Sequence, residues 1–151
     1  MDLAPLGVLT AALERSPRVR ALLAERLLAQ PSRSVRETKR LVTVWQFHVR
    51  LLTLARPLGP AAAEERARHL VLLAEVITRW PALQRQLDRR VAGRHGLALL
   101  VDAAPDDVAW ARALSTLDLD RPEHAAAARN LRALLSSYDL APVAELAAEL
   151  T

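Results

Sequence analysis

The sequence predicts an all-α fold, a single compact helical bundle of about seven to eight helices. Hydrophobic residues make up 52% of its 151 residues and aromatic residues only 3%, so leucine, valine and alanine must fill most of the core. Alanine, leucine, arginine and glutamate favour helices, and residues that favour strands are scarce. The four glycines include no Asn-Gly or Asp-Gly turn pair. A chain of this length is expected to form one domain, residues 1–151.

Prolines and capping residues delimit the predicted helices. Ser16-Pro17 is typical of an N-cap followed by the first helical position, which predicts a helix to about Gln30. Ser34 and Glu37 match a capping box, and the helix that follows is predicted to end near residue 56. Asp120 and Glu123 form a second capping-box pattern. The remaining predicted helices cover about 61–79, 81–92, 105–114, 120–138 and 141–150.

The helix predicted over about 34–56 carries two adjoining apolar stripes and only a narrow polar strip. A helix that is apolar around most of its circumference is normally buried. We therefore expect this helix to be the central element of the bundle, with Trp45 buried, and we expect Trp80 to be at least partly buried. The first stripe comprises Thr38, Leu41, Val42, Trp45, Val49 and Leu52, and the second comprises Val44, Phe47, Leu51 and Leu54.

Strand candidates are few. A Gly-Arg-His-Gly loop at residues 93–96 precedes a short apolar segment, residues 97–103. Within that segment Leu97–Val101 is the best candidate for a strand, and the signal is weak because a short apolar run is compatible with a helix as well.

Charge and composition bound the possible partners and location. The net charge is +4, almost all cations are arginine, and cysteine is missing. A modest positive charge is compatible with an anionic partner. The N-terminal segment lacks the basic region of a signal peptide, and apolar runs are far shorter than the ~20 residues that span a bilayer. We expect a cytoplasmic protein without a membrane partner.

Catalytic and metal-binding patterns are not found in the sequence. The four histidines are widely separated and share no metal-ligand spacing with carboxylates. Asp106 and Asp107 fall at the start of a predicted helix, where acidic residues offset the helix dipole. No GxSxG, GxGxxG or GxxxxGK[ST] motif occurs. We therefore expect no catalytic residue, no metal site and no cofactor for the chain alone. The histidines are His48, His69, His95 and His124.

A basic cluster stands at the start of the helix that begins near residue 34. It comprises Arg33, Arg36, Lys39 and Arg40. A helix N-terminus carries partial positive charge, so each cation there costs about 0.3–1 kcal/mol. One interpretation is a solvated surface. The other is a phosphate or anion site, since a helix N-terminus with arginines binds anions well.

The stretch SVRETKRLVTVWQFH resembles the NPRxxKRxxNxxRF signature of the KAP group of P-loop NTPases, which are similar to the AAA+ and STAND ATPases. A second stretch, LVLLAEVITRWPAL, is similar to the Trp-Pro segment that ends a following helix in that family. Together the two stretches, with similar spacing, extend the resemblance over Leu22–Leu87. In the family this region opens the helical part that follows the ATPase core.

The resemblance implies a role for the arginines. Arg36, Lys39 and Arg40 occupy the basic positions of the signature, whereas Ser34, Val35 and Thr43 replace its Asn, Pro and Asn. By the resemblance, Arg36 or Arg40 is a sensor-type arginine that reports the γ-phosphate. The Walker A and Walker B motifs are missing, so the resemblance covers the lid and post-ATPase helices alone. ATP and magnesium are then expected only together with a P-loop core.

Three functions follow, in order of preference. The first is a non-catalytic helical module that couples the nucleotide state of a P-loop ATPase domain, in cis or in trans, to a protein partner or effector. The second is nucleic-acid binding through the arginine-rich helix start, which a buried helix disfavours. The third is a structural adaptor recognised through exposed apolar residues of the last helix. Those interaction candidates are Leu140, Val143, Leu146 and Leu150.

Overall fold

The computed structural model describes residues 12–30, 34–55 and 59–150, with residues 52–55 described by their backbone alone. Of these residues 81% are helical, and the strands among them amount to one two-residue pair. The predicted all-α class is confirmed. None of the described helices combines the length and apolarity needed to span a bilayer.

The described elements follow the proline and capping signals over the first half of the chain. The helices are α1 (12–15), α2 (Pro17–Leu28), α3 (Val35–Ala55), α4 (Pro60–Arg79), α5 (Gln84–Leu87), α6 (Gly96–Ala103), α7 (Asp107–Thr116), α8 (Ala125–Ser137) and α9 (Ala141–Leu150). Two 3-10 helices (Pro81–Leu83 and Pro122–His124) and a hairpin of β1 (Arg90–Val91) and β2 (Arg94–His95) complete the described elements.

The backbone contacts divide the chain into two compact units, one up to Thr78 and one from Arg79 onward. In the first unit α4 is the most buried helix, with nine buried residues between Ala63 and Val76. The buried apolar residues include Trp45 of the first unit and Trp80 of the second, with 2% and 5% of their surfaces exposed. The predicted burial of both tryptophans is confirmed.

Helix α3 is buried on one face only, whereas the sequence predicts burial around most of its circumference. The first predicted stripe is buried at Leu41, Trp45 and Val49. The second stripe is not, because Phe47 is 58% exposed and Leu51 36% exposed. Apolar side chains are often exposed in folded proteins, so an apolar stripe need not face the core. In this unit α4, rather than α3, is the most buried helix. Residues 52–55 of both stripes lie outside the described side chains.

The second unit departs from the predictions around residues 81–103. A 3-10 turn, the four-residue α5 and the hairpin replace the helix predicted over 81–92. The strand candidate Leu97–Val101 is wrong, because these residues belong to α6, which packs against α7 and α9. A short apolar run of this kind is compatible with a strand or with a helix, and its length does not distinguish the two. The hairpin turn uses Ala92 and Gly93 at positive φ.

The second predicted capping box is also wrong. The 3-10 helix before α8 begins at Pro122, and Arg121 at its N-cap position makes no side-chain capping bond. Asp120 therefore does not cap that helix. In contrast, Ser16 accepts from the Val19 N–H at 3.4 Å, and the predicted cap of α2 is confirmed.

Candidate functional site

The N-terminus of α3 is fixed by Ser34. The Glu37 N–H donates to Ser34 Oγ at 3.2 Å, and the Thr38 N–H donates to the Ser34 carbonyl at 3.1 Å. One half of the predicted capping box is therefore present. The cap stabilises the first turn, from which Arg36 and then Lys39 and Arg40 project.

Three cations of the predicted basic cluster are free of internal partners. Arg36, Lys39 and Arg40 are all exposed, and none of their side chains has a hydrogen bond or ion pair to another residue that the structure describes. Arg33 lies outside the described residues. The three charges repel one another and the positive end of the helix dipole. The cluster has the charge and exposure of an anion-binding surface.

These cations share one face of α3 with exposed apolar residues. Successive helical residues are rotated by about 100°, which places seven of the exposed positions within one arc opposite the buried stripe. We call this arc the outer face of α3. It comprises Arg36, Lys39, Arg40, Thr43, Phe47, Arg50 and Leu51, all of them exposed. The outer face is basic toward its N-terminal end and apolar around Phe47 and Leu51.

The opposite face of α3 is held by a tryptophan. Trp45 is 2% exposed, and its indole Nε1–H donates to the Ala67 carbonyl of α4 at 2.9 Å. A buried donor that found no acceptor would cost about 1–3 kcal/mol, so rotation of α3 is opposed. The hydrogen bond therefore fixes which face of the helix points outward.

A buried ion pair joins α2 to α4 within the same unit. Arg26 Nε and Nη2 donate to the two carboxylate oxygens of Glu75 at 2.6 and 2.8 Å. The Glu75 side chain is fully buried and that of Arg26 is 11% exposed. Sequence patterns did not indicate this pair; the available signal was one carboxylate within the apolar run of α4. The pair links α2 to α4 in the unit that also contains α3.

The predicted interaction residues of the last helix occupy the core instead. Leu140, Val143 and Leu146 are 1%, 0% and 3% exposed, and Leu150 alone reaches 37%. The expectation of an exposed leucine surface is wrong for the first three. Their spacing of three residues places them on one face at the start of α9, the helix that packs against α6. They cannot serve as a docking surface.

In the described part of the chain, histidines and carboxylates meet in isolated pairs. No cluster of three or more metal-ligating side chains exists among the described residues. His69 Nε2 lies 3.5 Å from Glu65 on the same helix. Asp106 caps α7 through the Ala109 N–H at 3.1 Å. Asp107 accepts a hydrogen bond from Arg132 at 2.8 Å. Each of the two aspartates is therefore held by a different partner, and they do not act together as a paired-carboxylate site.

No family model, curated protein or solved structure matches the chain. The resemblance to KAP-type NTPases therefore depends on the two quoted stretches. In the structure the first stretch forms α3 from its Ser34 cap, and the second forms the end of α4 and the Trp80-Pro81 step.

Proposed function

We propose that the chain is a non-catalytic helical module that couples the nucleotide state of a P-loop ATPase core, in cis or in trans, to a protein partner or effector. The observation that carries the proposal is the outer face of α3. There Arg36, Lys39 and Arg40 lie at a capped helix start, without a partner among the described residues.

The basic end of the outer face suits contact with a bound phosphate. Arg36 and Arg40 are four residues apart and so lie on the same side of the helix. A guanidinium donates two parallel hydrogen bonds to phosphate oxygens, which gives geometric specificity beyond charge. ATP and magnesium would be bound by the P-loop core. This chain would add an arginine near the γ-phosphate and respond to its loss.

The apolar end of the outer face supports a protein partner. Phe47, the one phenylalanine of the sequence, is 58% exposed, and Leu51 follows one turn later. Burying such side chains in an interface is favourable by about 25 cal/mol per Å² of apolar surface. A nucleic-acid backbone would leave this apolar part without a complementary surface. An ATPase core with bound nucleotide would contact both the basic end and the apolar end of the outer face.

Co-expression with a P-loop ATPase found in the same or a neighbouring reading frame tests the proposal, and the lack of any such ATPase would count against it. We expect the two proteins to co-purify and the ATP hydrolysis rate to change when the chain binds. Arg40→Gln should reduce that change by tenfold or more, because a charge-assisted contact to phosphate is lost. Phe47→Ala should weaken binding instead.

Arg129→Gln is the matched control, since Arg129 is an exposed arginine on α8, far along the chain from α3. This substitution removes the same charge as Arg40→Gln. It should leave the formation of the complex and the ATP hydrolysis rate unchanged. Equal effects of Arg40→Gln and Arg129→Gln would refute the assignment. So would an ATPase whose rate is indifferent to the chain.

A further inference from the structure

The hairpin of the second unit carries a buried histidine at its base. His95 ends β2, immediately before α6, and only 3% of its surface is exposed. Neither ring nitrogen makes a well-formed hydrogen bond within the described part of the chain, although Nε2 lies 3.3 Å from Oδ1 of Asp88. Unpaired buried polar atoms are uncommon in folded proteins. A buried imidazole is more stable as the neutral ring, because burial disfavours the charged form.

The position of His95 makes a positive charge on its ring unfavourable for two further reasons. In the register of the hairpin His95 is directly opposite Arg90, and like charges directly opposite each other in a strand pair are destabilising. His95 is also the N-cap residue of α6, where the helix dipole is positive. Burial therefore lowers the pKa of His95, the carboxylate of Asp88 opposes this shift, and Arg90 adds to it.

The remaining ionisable side chains on the elements around the hairpin are exposed to solvent, which screens their charges. Arg94 of β2 and Asp102 of α6 form an ion pair with each other, and both side chains are more than half exposed. Asp88 and Arg90 are the charged groups that shift the pKa of His95. The other exposed groups, on α5, in the segment after it and on α9, are Arg85, Arg89, Glu145 and Glu149.

Arg90 connects the hairpin to the last helix. Its Nη2 donates to the Ala148 carbonyl in the last turn of α9 at 3.0 Å. A cation near the C-terminus of a helix offsets the negative end of the helix dipole. Helix α9 also contacts β2 and α6. Displacement of Arg90 therefore removes a contact of the last turn of α9, whereas α6 still holds the rest of that helix.

The hairpin is short enough to open by itself. It consists of two residue pairs, and Ala92 in its turn has a φ of 52°. A residue other than glycine is strained at positive φ, and a two-stranded hairpin is only marginally stable on its own. The Gly96 N–H, which donates to the Arg89 carbonyl at 2.8 Å, closes the base. Opening therefore breaks few hydrogen bonds and exposes the ring of His95.

We propose that the hairpin is a pH-sensitive latch, in which protonation of His95 opens the hairpin and releases the last turn of α9 from Arg90. In the closed hairpin the neutral ring is buried opposite Arg90. Protonation is more favourable in the open hairpin, because water solvates the imidazolium there and Arg90 is no longer opposite it. The open form therefore gains population as the pH falls below 6.5. The inference does not depend on the proposed function of α3.

Native-state hydrogen exchange of the whole chain at about pH 7.5 and about pH 5.5 tests the latch. The probes are the Gly96 amide and the amides of the last turn of α9, while the amides of α8 report on global unfolding. We expect the probes to exchange through an opening that is insensitive to low urea, since it exposes little surface. The equilibrium constant for this opening should rise severalfold, and at most about tenfold, because an accessible histidine is protonated about ten to one at about pH 5.5.

Four variants separate the parts of the latch. His95→Gln should abolish the rise at both probes, whereas the matched control His124→Gln, which changes a half-buried histidine of the same unit, should keep it. Asp88→Asn should enlarge the rise, because it removes the carboxylate that favours the charged ring. Arg90→Gln should keep a rise at Gly96 but make the last turn of α9 exchange faster at both pH values, with no further rise.

Three results would overturn the inference. Probes that exchange only together with the amides of α8, in a urea-dependent manner, would show that the hairpin does not open by itself. An equal rise in the parent chain and in His95→Gln would assign the pH dependence to another group. A rise at Gly96 without one in the last turn of α9 would refute the release of that turn.

Discussion

At the scale of single residues, we expect the largest loss of stability in the first unit from mutation of the buried Arg26–Glu75 pair. Glu75→Gln removes the carboxylate that compensates the buried guanidinium of Arg26 and should lower the free energy of unfolding by about 3–5 kcal/mol. Urea denaturation of the two proteins measures this. The double variant Arg26→Leu with Glu75→Leu should recover most of the loss, since well-packed apolar residues often replace buried ion pairs at no cost. A stable Glu75→Gln variant would contradict the assigned role.

His95 gives the second residue-scale prediction, a dependence of stability on pH. Burial lowers the pKa of His95 below 6.5; nearby Asp88 opposes this shift and Arg90 adds to it. Between the folded pKa and 6.5 the unfolded chain binds more protons than the folded one. The free energy of unfolding should therefore keep its full value above pH 6.5 and decrease as the pH falls from 6.5 toward the folded pKa.

Urea titrations at about pH 7.5 and about pH 5.5 measure the effect of His95. In His95→Gln, which cannot be protonated in this range, the decrease should be smaller than in the parent chain. An equal pH dependence in both proteins would assign it to other groups.

At the scale of elements, the start of α3 distinguishes an anion surface from a scaffold. Arg36 and Arg40 repel each other and the helix dipole, and neither has a partner among the described residues. Replacing either with glutamine should leave stability unchanged or raise it by up to about 1 kcal/mol. Thermal melts with and without phosphate or ATP provide the measurement. Arg26→Gln, which removes a paired arginine of α2, is the contrasting control and should be strongly destabilising.

The junction of α5 and α6 carries the second element-scale prediction. Gly96→Ala would press a methyl group against the backbone carbonyls of Gln86 and Leu87, which cannot rotate away. The elements must separate, and stability should fall by about 1–3 kcal/mol as in other overpacked sites. Gly59→Ala is the control for the substitution, because nothing lies within 4 Å of the added carbon there. A Gly96→Ala melt that matches that of Gly59→Ala would contradict the close packing.

Prolines and caps explain why the helices of the first half were predictable. Local signals define the ends of α2, α3 and α4, because Ser16, Ser34 and Pro81 act on their immediate neighbours. The Ala92-Gly93 turn of the hairpin was not predictable, since alanine gives no signal for positive φ.

The partners of the buried side chains were not predictable either. Arg26 and Glu75 are 49 residues apart, and no local pattern connects them. The same reason explains why the sequence suggested the cations of α3 but not the exposure of its Phe47. That exposure depends on which faces the tertiary structure covers. Sequence spacing defines a face but does not say whether another helix packs on it.

At the scale of the whole molecule, the proposed module should lack ATPase activity of its own. The sequence contains no glycine-rich phosphate loop with its lysine and no Walker B motif. Arginines alone supply charge but neither enclose the triphosphate nor position magnesium and water, and catalysis of phosphoryl transfer depends on that positioning. We expect no hydrolysis above background with Mg·ATP and at most weak, salt-sensitive binding. Hydrolysis that co-purifies with the chain and is abolished by Arg40→Gln would show that the chain itself is the catalyst and would overturn the module.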